Sequence, residues 1–186
     1  MIASPMPHAA GLVFLVVLFG LASAHKLRDM RDFKGVLDAY FGGSRWAGSG
    51  LRLLVATVVI AWEVSIAAAA AIALVVPATV AVAASLSAVL LLVYAAAMAL
   101  NLARGNTLQD CGCSWGKGET PVSYMLVIRN VFLAGLAGLL LLPMPAAPIG
   151  IIDALNVIAM STLAYLLYLV SDQLIINHGR IREVSP

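Results

Sequence analysis

The chain has 186 residues, of which 62% are hydrophobic and only 11% charged, with a formal net charge of +2. Soluble domains contain about 45–50% apolar and about 25% charged residues, so this chain has too few charges to cover a soluble globular surface. Composition therefore indicates an integral membrane protein with lipid as its surroundings. It argues against a nucleic-acid partner, because no basic face interleaved with aromatic residues is present. Two cysteines also exclude a disulfide-stapled secreted domain.

The first predicted membrane span covers residues 8–24 and contains no charged residue. About 20 apolar residues are needed to cross the hydrocarbon core of a bilayer. The segment ends in Ala22-Ser23-Ala24, which resembles a signal-peptidase site, but residues 1–7 lack the Lys or Arg that a signal peptide requires. The pattern therefore favours an uncleaved first helix.

An amphipathic segment is predicted over residues 26–41, between the first and second spans. Its apolar side chains recur at steps of three and four residues, which places them on one face of a helix; they are Leu27, Met30, Phe33, Leu37 and Tyr40. Two arrangements fit this pattern. The helix lies in the headgroup plane with its apolar side toward the lipid, or it packs as a surface helix on the end of the bundle.

Four further spans are predicted over residues 51–76, 78–102, 122–142 and 149–176. Pro77 divides the long apolar stretch into two helices, because a proline inside a helix removes a hydrogen bond and clashes with the preceding turn. A glycine-rich loop over residues 103–121 separates the third and fourth spans. The sequence thus predicts an all-α protein with five transmembrane helices in a single membrane domain, residues 1–186.

The predicted loops differ in charge. All eleven Lys and Arg residues fall on or close to the face that carries the amphipathic segment, the 103–121 loop and the C-terminal tail. By the positive-inside rule that face is cytoplasmic. Thiols on that side of the membrane are normally kept reduced.

Both cysteines lie in the 103–121 loop, as Cys111 and Cys113 with Gly112 between them. A disulfide between residues i and i+2 needs a bent backbone, which glycine permits. So small a ring is strained, and strained disulfides are the more oxidising ones. The pair therefore favours thiol exchange over a structural cross-link. Two alternatives remain: both residues are inert, or both thiolates bind a soft metal such as Cu(I), whereas a closed zinc site lacks ligands.

Ionisable and amide side chains inside the predicted spans form a second candidate set, comprising Glu63, Asn101, Arg104, Arg129 and Asn130. A charge deep in a span is costly and marks either a functional site or a paired partner. Glu63 pairs with Arg129, or is protonated, or takes part in proton transfer or quinone binding. Asp172, at the end of the last span, is predicted to lie at the membrane interface.

In their order and spacing these residues resemble the MauE family of methylamine utilisation proteins, which is related to the MauE/DoxX-like redox-associated membrane proteins. The resemblance rests on Lys26-Leu27, Glu63, the Asn-Leu-Ala-Arg-Gly run at 101–105, Asp110-Cys111-Gly112-Cys113 and Arg129-Asn130. In one departure, Ser114-Trp115-Gly116 stands where the family often has Phe-Gly directly after the second cysteine, so the aromatic residue is shifted by one position.

The resemblance implies an accessory role in the biogenesis of methylamine dehydrogenase, a periplasmic enzyme whose small subunit contains many disulfides. The implied partners are a thioredoxin-like protein of the MauD type and, directly or through it, that small subunit. Cys111 and Cys113 would be the exchanging, catalytic pair of a thiol-disulfide oxidoreductase, and no metal is implied. The supporting residues would be Glu63, Asn101, Arg104, Asp110, Gly112, Arg129 and Asn130.

The family is also similar to the helical bundles of DsbB and vitamin K epoxide reductase. This similarity implies a four-helix core and, by analogy alone, a quinone cofactor. The implied client lies outside the cytoplasm, which conflicts with the side that the charge distribution favours. On the functional argument we favour a periplasmic cysteine loop in a bacterial inner membrane. The alternative function is a non-catalytic membrane scaffold or a copper-handling protein.

Overall fold

The computed structural model describes residues 5–40, 48–105, 123–143 and 150–184, with the side chains of residues 39, 49 and 178–184 left undescribed. In these ranges every regular element is a helix, as the sequence predicts. The helices are α1 (Met6–Arg28), α2 (Met30–Tyr40), α3 (Ser49–Ala73), α4 (Val80–Ala103), α5 (Tyr124–Leu139) and α6 (Ile151–Val184).

Four helices are long and apolar enough to cross a membrane, namely Met6–Arg28, Gly50–Ala73, Pro77–Ala103 and Ile151–Asn177. The chain is therefore a multi-pass membrane protein. Helix α5 is apolar but has only 16 residues. At 1.5 Å per residue it is about 24 Å long, less than the hydrocarbon thickness of about 30 Å. The fourth of the five predicted spans is thus shorter than a full crossing.

A tight turn joins α3 to α4 at Pro77. The amides of Val75 and Val76 donate to the carbonyl of Ile72 at 2.9 and 2.8 Å, which closes the end of α3. Pro77 then begins a single 3₁₀ turn that leads into α4. Proline is tolerated at this first position because its missing amide would have no partner there. The turn makes α3 and α4 antiparallel neighbours.

The helices pack as successive neighbours in the order α5, α4, α3, α1 and α6. At the α3–α4 contact the buried residues are alanines, with Ala70 and Ala73 on one helix and Ala83 and Ala84 on the other. Small side chains let two helix backbones approach closely in a membrane. Around them lies the largest apolar cluster, to which α1 contributes Leu12, Leu15, Leu18 and Phe19.

Helix α6 lies at the periphery and packs mainly on α1. Its large apolar side chains are exposed along most of its length, for example Leu155, Leu163 and Leu167. In a membrane such side chains face lipid. The loose packing of α6 leaves room between it and α5, as described below.

The amphipathic helix α2 packs on α3. Its Phe33 is buried against Ala56 and Ile60 of α3, with Met30 and Leu37 beside it. Of the two arrangements that the sequence allowed, the structure therefore has the apolar face of α2 on a neighbouring helix.

Helix α4 ends in a glycine cap. Gly105 has φ +77°, and its amide donates to the carbonyl of Leu102 at 3.0 Å. Glycine adopts this left-handed conformation without steric cost and commonly terminates helices. The cap directs the chain out of α4 at the start of the connector to α5.

Candidate functional site

A buried ion pair joins the first three long helices. Nζ of Lys26, near the end of α1, lies 2.6 Å from Oε1 of Glu63 in α3. The hydroxyl of Tyr94 in α4 donates to the same oxygen at 2.7 Å. Lys26 is 2% exposed and Glu63 is fully buried. A charge at this depth persists only with a partner of opposite sign. Here Lys26 and Glu63 are each other's partner.

Aromatic rings enclose the lysine. Its Nζ lies 5.5 Å from the ring centroid of Phe33 and 5.6 Å from that of Tyr94. Both distances fall within the range of about 6 Å for attraction between a cation and an aromatic ring. Phe33 therefore serves two purposes, since it anchors α2 and covers the ion pair.

A second buried ion pair joins α5 to α6. The guanidinium of Arg129 donates to Oδ1 of Asp172, and its Cζ lies 4.8 Å from the ring centroid of Tyr168. The side chains of Arg129 and Asp172 are 8% and 5% exposed. This pair connects two helices that otherwise make little contact.

These pairings exclude one of the alternatives that the sequence left open for Glu63, and they show that Asp172 is buried. Glu63 does not pair with Arg129, because each already has another partner, Lys26 and Asp172 respectively. Asp172, predicted at the membrane interface, is 3% exposed and is covered by neighbouring helices; its depth in the membrane stays a prediction. The four buried charges form two neutral pairs.

The amide residues of the candidate set are buried, Asn101 in the last turn of α4 and Asn130 in the middle of α5. Asn101 is 2% and Asn130 4% exposed, and Asn130 Nδ2 donates to the carbonyl of Leu126 at 2.8 Å. Arg104, by contrast, is exposed and caps α4. Asn101 therefore lies close to the start of the connector, whereas Asn130 lies about two turns beyond its end.

A small cavity separates the two ion pairs. Its volume is about 30 Å³, and its walls include Glu63, Tyr94, Arg129, Asn130 and Tyr168. The second carboxylate oxygen of Glu63, Oε2, is buried and has no hydrogen-bond partner among the described residues. A buried carboxylate oxygen without a donor is costly, so this cavity is the place where a donor is missing.

A larger apolar crevice lies beside the small cavity, between α1, α5 and α6. Its volume is about 790 Å³, within the range of roughly 300–1,000 Å³ typical of ligand sites. The two cavities share part of their walls, formed by Leu18, Leu91, Arg129, Leu133 and Tyr168. The crevice therefore reaches the buried polar groups at one end.

The predicted catalytic pair lies outside the described residues. Asp110, Cys111, Gly112 and Cys113 all fall within residues 106–122. In the described ranges, no three His, Cys, Asp or Glu side chains come together as metal ligands. Met98 and Met125 carry thioethers that could add to a soft-metal site; Met98 is buried against Leu126, whereas Met125 is exposed.

Sequence reasoning missed Tyr94, Tyr168 and the role of Asp172. Tyr94 did leave a signal, because it is the only tyrosine in the apolar stretch of residues 51–102. Buried tyrosines need a hydrogen-bond partner, so Tyr94 pointed to a polar group in a neighbouring helix. Lys26 gave a weaker sequence signal, because its charge comes only two residues after the predicted span 8–24.

Comparison with known proteins places the chain in a family. A sequence model of the family described as Methylamine utilisation protein MauE matches residues 5–143, which include α1 to α5. The Methylamine utilization protein MauE of Paracoccus denitrificans is 36% identical over 166 residues, covering 89% of this chain and 85% of the relative. That of Paracoccus versutus is 36% identical over 171 residues, covering 91% and 88%.

A third relative comes from a bacterium of another genus. The Methylamine utilization protein MauE of Methylorubrum extorquens is 35% identical over 153 residues, covering 80% of this chain and 75% of the relative. No solved structure matches the chain significantly. The matched family model and the relatives together show that the chain belongs to the MauE family.

Proposed function

We propose that this chain is a membrane accessory protein of methylamine utilisation that supports disulfide formation or isomerisation while methylamine dehydrogenase is made. Membership of the MauE family carries the proposal, because its relatives are named for methylamine utilisation. The Cys111-Gly112-Cys113 sequence supplies the chemistry. The thioredoxin-like partner and the dehydrogenase small subunit are the proposed substrates of that chemistry.

The exchange step follows ordinary thiol chemistry. A client thiolate attacks one sulfur of the Cys111–Cys113 disulfide, forming a mixed disulfide and releasing the other cysteine as a thiolate. A second client thiolate then attacks the mixed disulfide. The client gains a disulfide, and Cys111 and Cys113 receive its two electrons.

The packing beside the connector supports this assignment. Helices α4 and α5 make the most extensive helix contact among the described elements, and they hold the two ends of the segment that carries the cysteines. Asn101 in the last turn of α4 and Asn130 in the middle of α5 are both buried. A rigid base of this kind suits a reactive pair that must meet a partner in one orientation.

We further propose that α5 completes a fifth crossing with the residues around it, and that the helices form a bundle similar to those of DsbB and vitamin K epoxide reductase. The proposed location is the bacterial inner membrane, with the cysteine loop on the periplasmic side. The client outside the cytoplasm is the reason for that side, and pairing inside the bundle reduces the charge argument against it. Two of the eleven basic residues, Lys26 and Arg129, are neutralised by buried carboxylates and carry less weight in a positive-inside count.

A quinone, the cofactor that the resemblance implies, accepts two electrons and two protons when bound. The described residues fit the ring and tail of such a group. The crevice is lined mainly by apolar side chains suited to a long tail, and it adjoins buried polar groups of Glu63 and Arg129.

Trapping of a mixed disulfide tests the proposed exchange. In a Cys111→Ala or Cys113→Ala variant the remaining thiol can attack the disulfide of an oxidised partner, which is the reverse of the exchange step, but no second cysteine is left to release that partner by closing the Cys-Gly-Cys ring. The mixed disulfide with the partner therefore should persist in at least one of the two variants. It is measured as a reductant-sensitive, higher-mass species on non-reducing gels, with the partner identified by mass spectrometry. A double Cys→Ala variant is the control, and absence of the species from both single variants contradicts exchange.

Labelling in intact cells tests the proposed side of the membrane. After mild reduction, a membrane-impermeant maleimide should modify Cys111 and Cys113 without cell lysis. The measurement is the mass increase of the purified protein, with a double Cys→Ala variant as the blank. Modification only after the cells are broken would place the loop on the cytoplasmic side.

A further inference from the structure

The crevice between α1, α5 and α6 is built for a long apolar chain. Phe14 and Leu15 of α1, Leu136 of α5 and Leu167 of α6 contribute to its walls. It runs beside α5 from Arg129 to Leu139, which is about 15 Å at 1.5 Å per residue. Helix α6, which forms one wall, lies outside the region that the MauE family model matches.

The inner end of the crevice is polar and narrow. The adjoining cavity of about 30 Å³ exceeds the roughly 10–15 Å³ that one water molecule needs. It therefore admits a group the size of a hydroxyl, but no ring. A ring would remain in the crevice beside Leu18, Leu133 and Tyr168, which line both spaces.

The chemistry of the small cavity is set by Glu63. Its Oε1 already accepts from Lys26 and Tyr94, whereas its Oε2 has no donor among the described residues. An ionised carboxylate can only accept hydrogen bonds. The missing group must therefore carry an O–H or N–H, which excludes a hydrocarbon tail alone and also a carbonyl oxygen.

We propose that the crevice and the small cavity together bind a membrane quinol, a hydroxyl-bearing aromatic ring on a long apolar chain. The chain occupies the crevice, the ring lies against Tyr168, and one ring hydroxyl donates to Glu63 Oε2. The choice of a quinol rests on the proposed function, because a membrane quinone that takes the two electrons and two protons released by thiol oxidation becomes a quinol. The site favours the reduced form, since only that form carries the donor.

Ligand binding to the purified full-length protein tests this site without any enzymatic readout. The probes are a decyl-substituted benzoquinol and its dimethyl ether, titrated anaerobically by calorimetry into protein in lipid nanodiscs. The ether keeps the ring and tail but has no hydroxyl donor. We expect the quinol to bind at least about tenfold more tightly, the effect of one hydrogen bond to a charged acceptor. Equal affinity for the two probes overturns the proposal.

Two pairs of variants locate the site. Ala164 is exposed and lines the crevice, so Ala164→Trp should abolish binding of both probes, whereas Ala159→Trp, an exposed position of α6 outside the crevice, should not. Ala22 lines the small cavity, so Ala22→Val should remove the preference for the quinol. Ala24→Val adds the same volume at an exposed position and should retain the preference. Unchanged binding in Ala164→Trp overturns the proposal.

A double Cys111→Ser, Cys113→Ser variant separates this site from the proposed thiol chemistry. The described walls of both spaces come from the helices, so we expect unchanged quinol affinity in that variant. If this variant binds quinol and also supports normal dehydrogenase maturation, the site is retained and thiol exchange is rejected. If maturation requires the cysteines but the protein shows no measurable quinol binding, the site is rejected and thiol exchange is retained. A high-resolution structure with water in the small cavity at saturating quinol would also reject it.

Discussion

Serine in place of either Cys111 or Cys113 is expected to abolish maturation of methylamine dehydrogenase while the protein itself remains in the membrane. Serine is close to cysteine in size but cannot form a disulfide or act as the exchanging nucleophile. Both positions lie outside the described residues, so neither change alters a side chain of the described core. The measurements are dehydrogenase activity, the free-thiol content of its small subunit, and the amount of this protein in the membrane fraction.

The matched control lies in the same connector. Ser114→Ala removes a hydroxyl next to Cys113 but keeps both thiols, and we expect normal maturation. Full activity in both cysteine variants would rule out thiol exchange and favour the scaffold function. Loss of both variants from the membrane would instead assign the cysteines a structural role.

The helices could be predicted because their signals are local. An apolar stretch of sufficient length is enough to indicate a membrane helix, and Pro77 is enough to indicate a break. The length of α5 was harder to predict. Residues 140–142 are apolar and extend the hydrophobic pattern, but the helix ends at Leu139, so the apolar run is longer than the helix.

The partners of the buried charges could not be predicted because they depend on the depth at which helices pack. Lys26 follows an apolar span and precedes a run of exposed charges, so its sequence context resembles a loop. Only the packing of α1 on α3 shows that it lies level with Glu63. Asp172 similarly lies near the end of the predicted span, yet α6 continues to Val184 and keeps this residue inside.

The two ion pairs connect different helices of the bundle. Lys26, Glu63 and Tyr94 connect α1, α3 and α4, which also share an apolar core. Arg129 and Asp172 connect α5 and α6 at one end of an otherwise open crevice. The first group therefore stabilises packed helices, whereas the second sets the distance between two helices that apolar contacts hold only weakly.

Replacement of Lys26 by methionine is expected to destabilise the protein by about 3–5 kcal/mol, the cost of leaving one member of a buried ion pair without the other. Methionine preserves most of the side-chain volume, so the loss reports on charge and not on a cavity. Tyr94 would remain as a hydrogen-bond donor to Glu63 but cannot neutralise its charge. The measurement is the free energy of unfolding of the purified protein in mixed detergent micelles, followed by circular dichroism.

Two further variants make the interpretation specific. Arg28→Met removes a charge from an exposed position two residues along the same helix and should change stability by no more than about 0.5 kcal/mol. The double variant Lys26→Met, Glu63→Gln removes both charges, and its glutamine still accepts from Tyr94. We therefore expect it to recover most of the stability that Lys26→Met alone loses, because a neutral pair of similar volume leaves no buried charge to desolvate. If Lys26→Met is as stable as Arg28→Met, or if the double variant is less stable than Lys26→Met alone, the charges of Lys26 and Glu63 do not stabilise each other across α1 and α3.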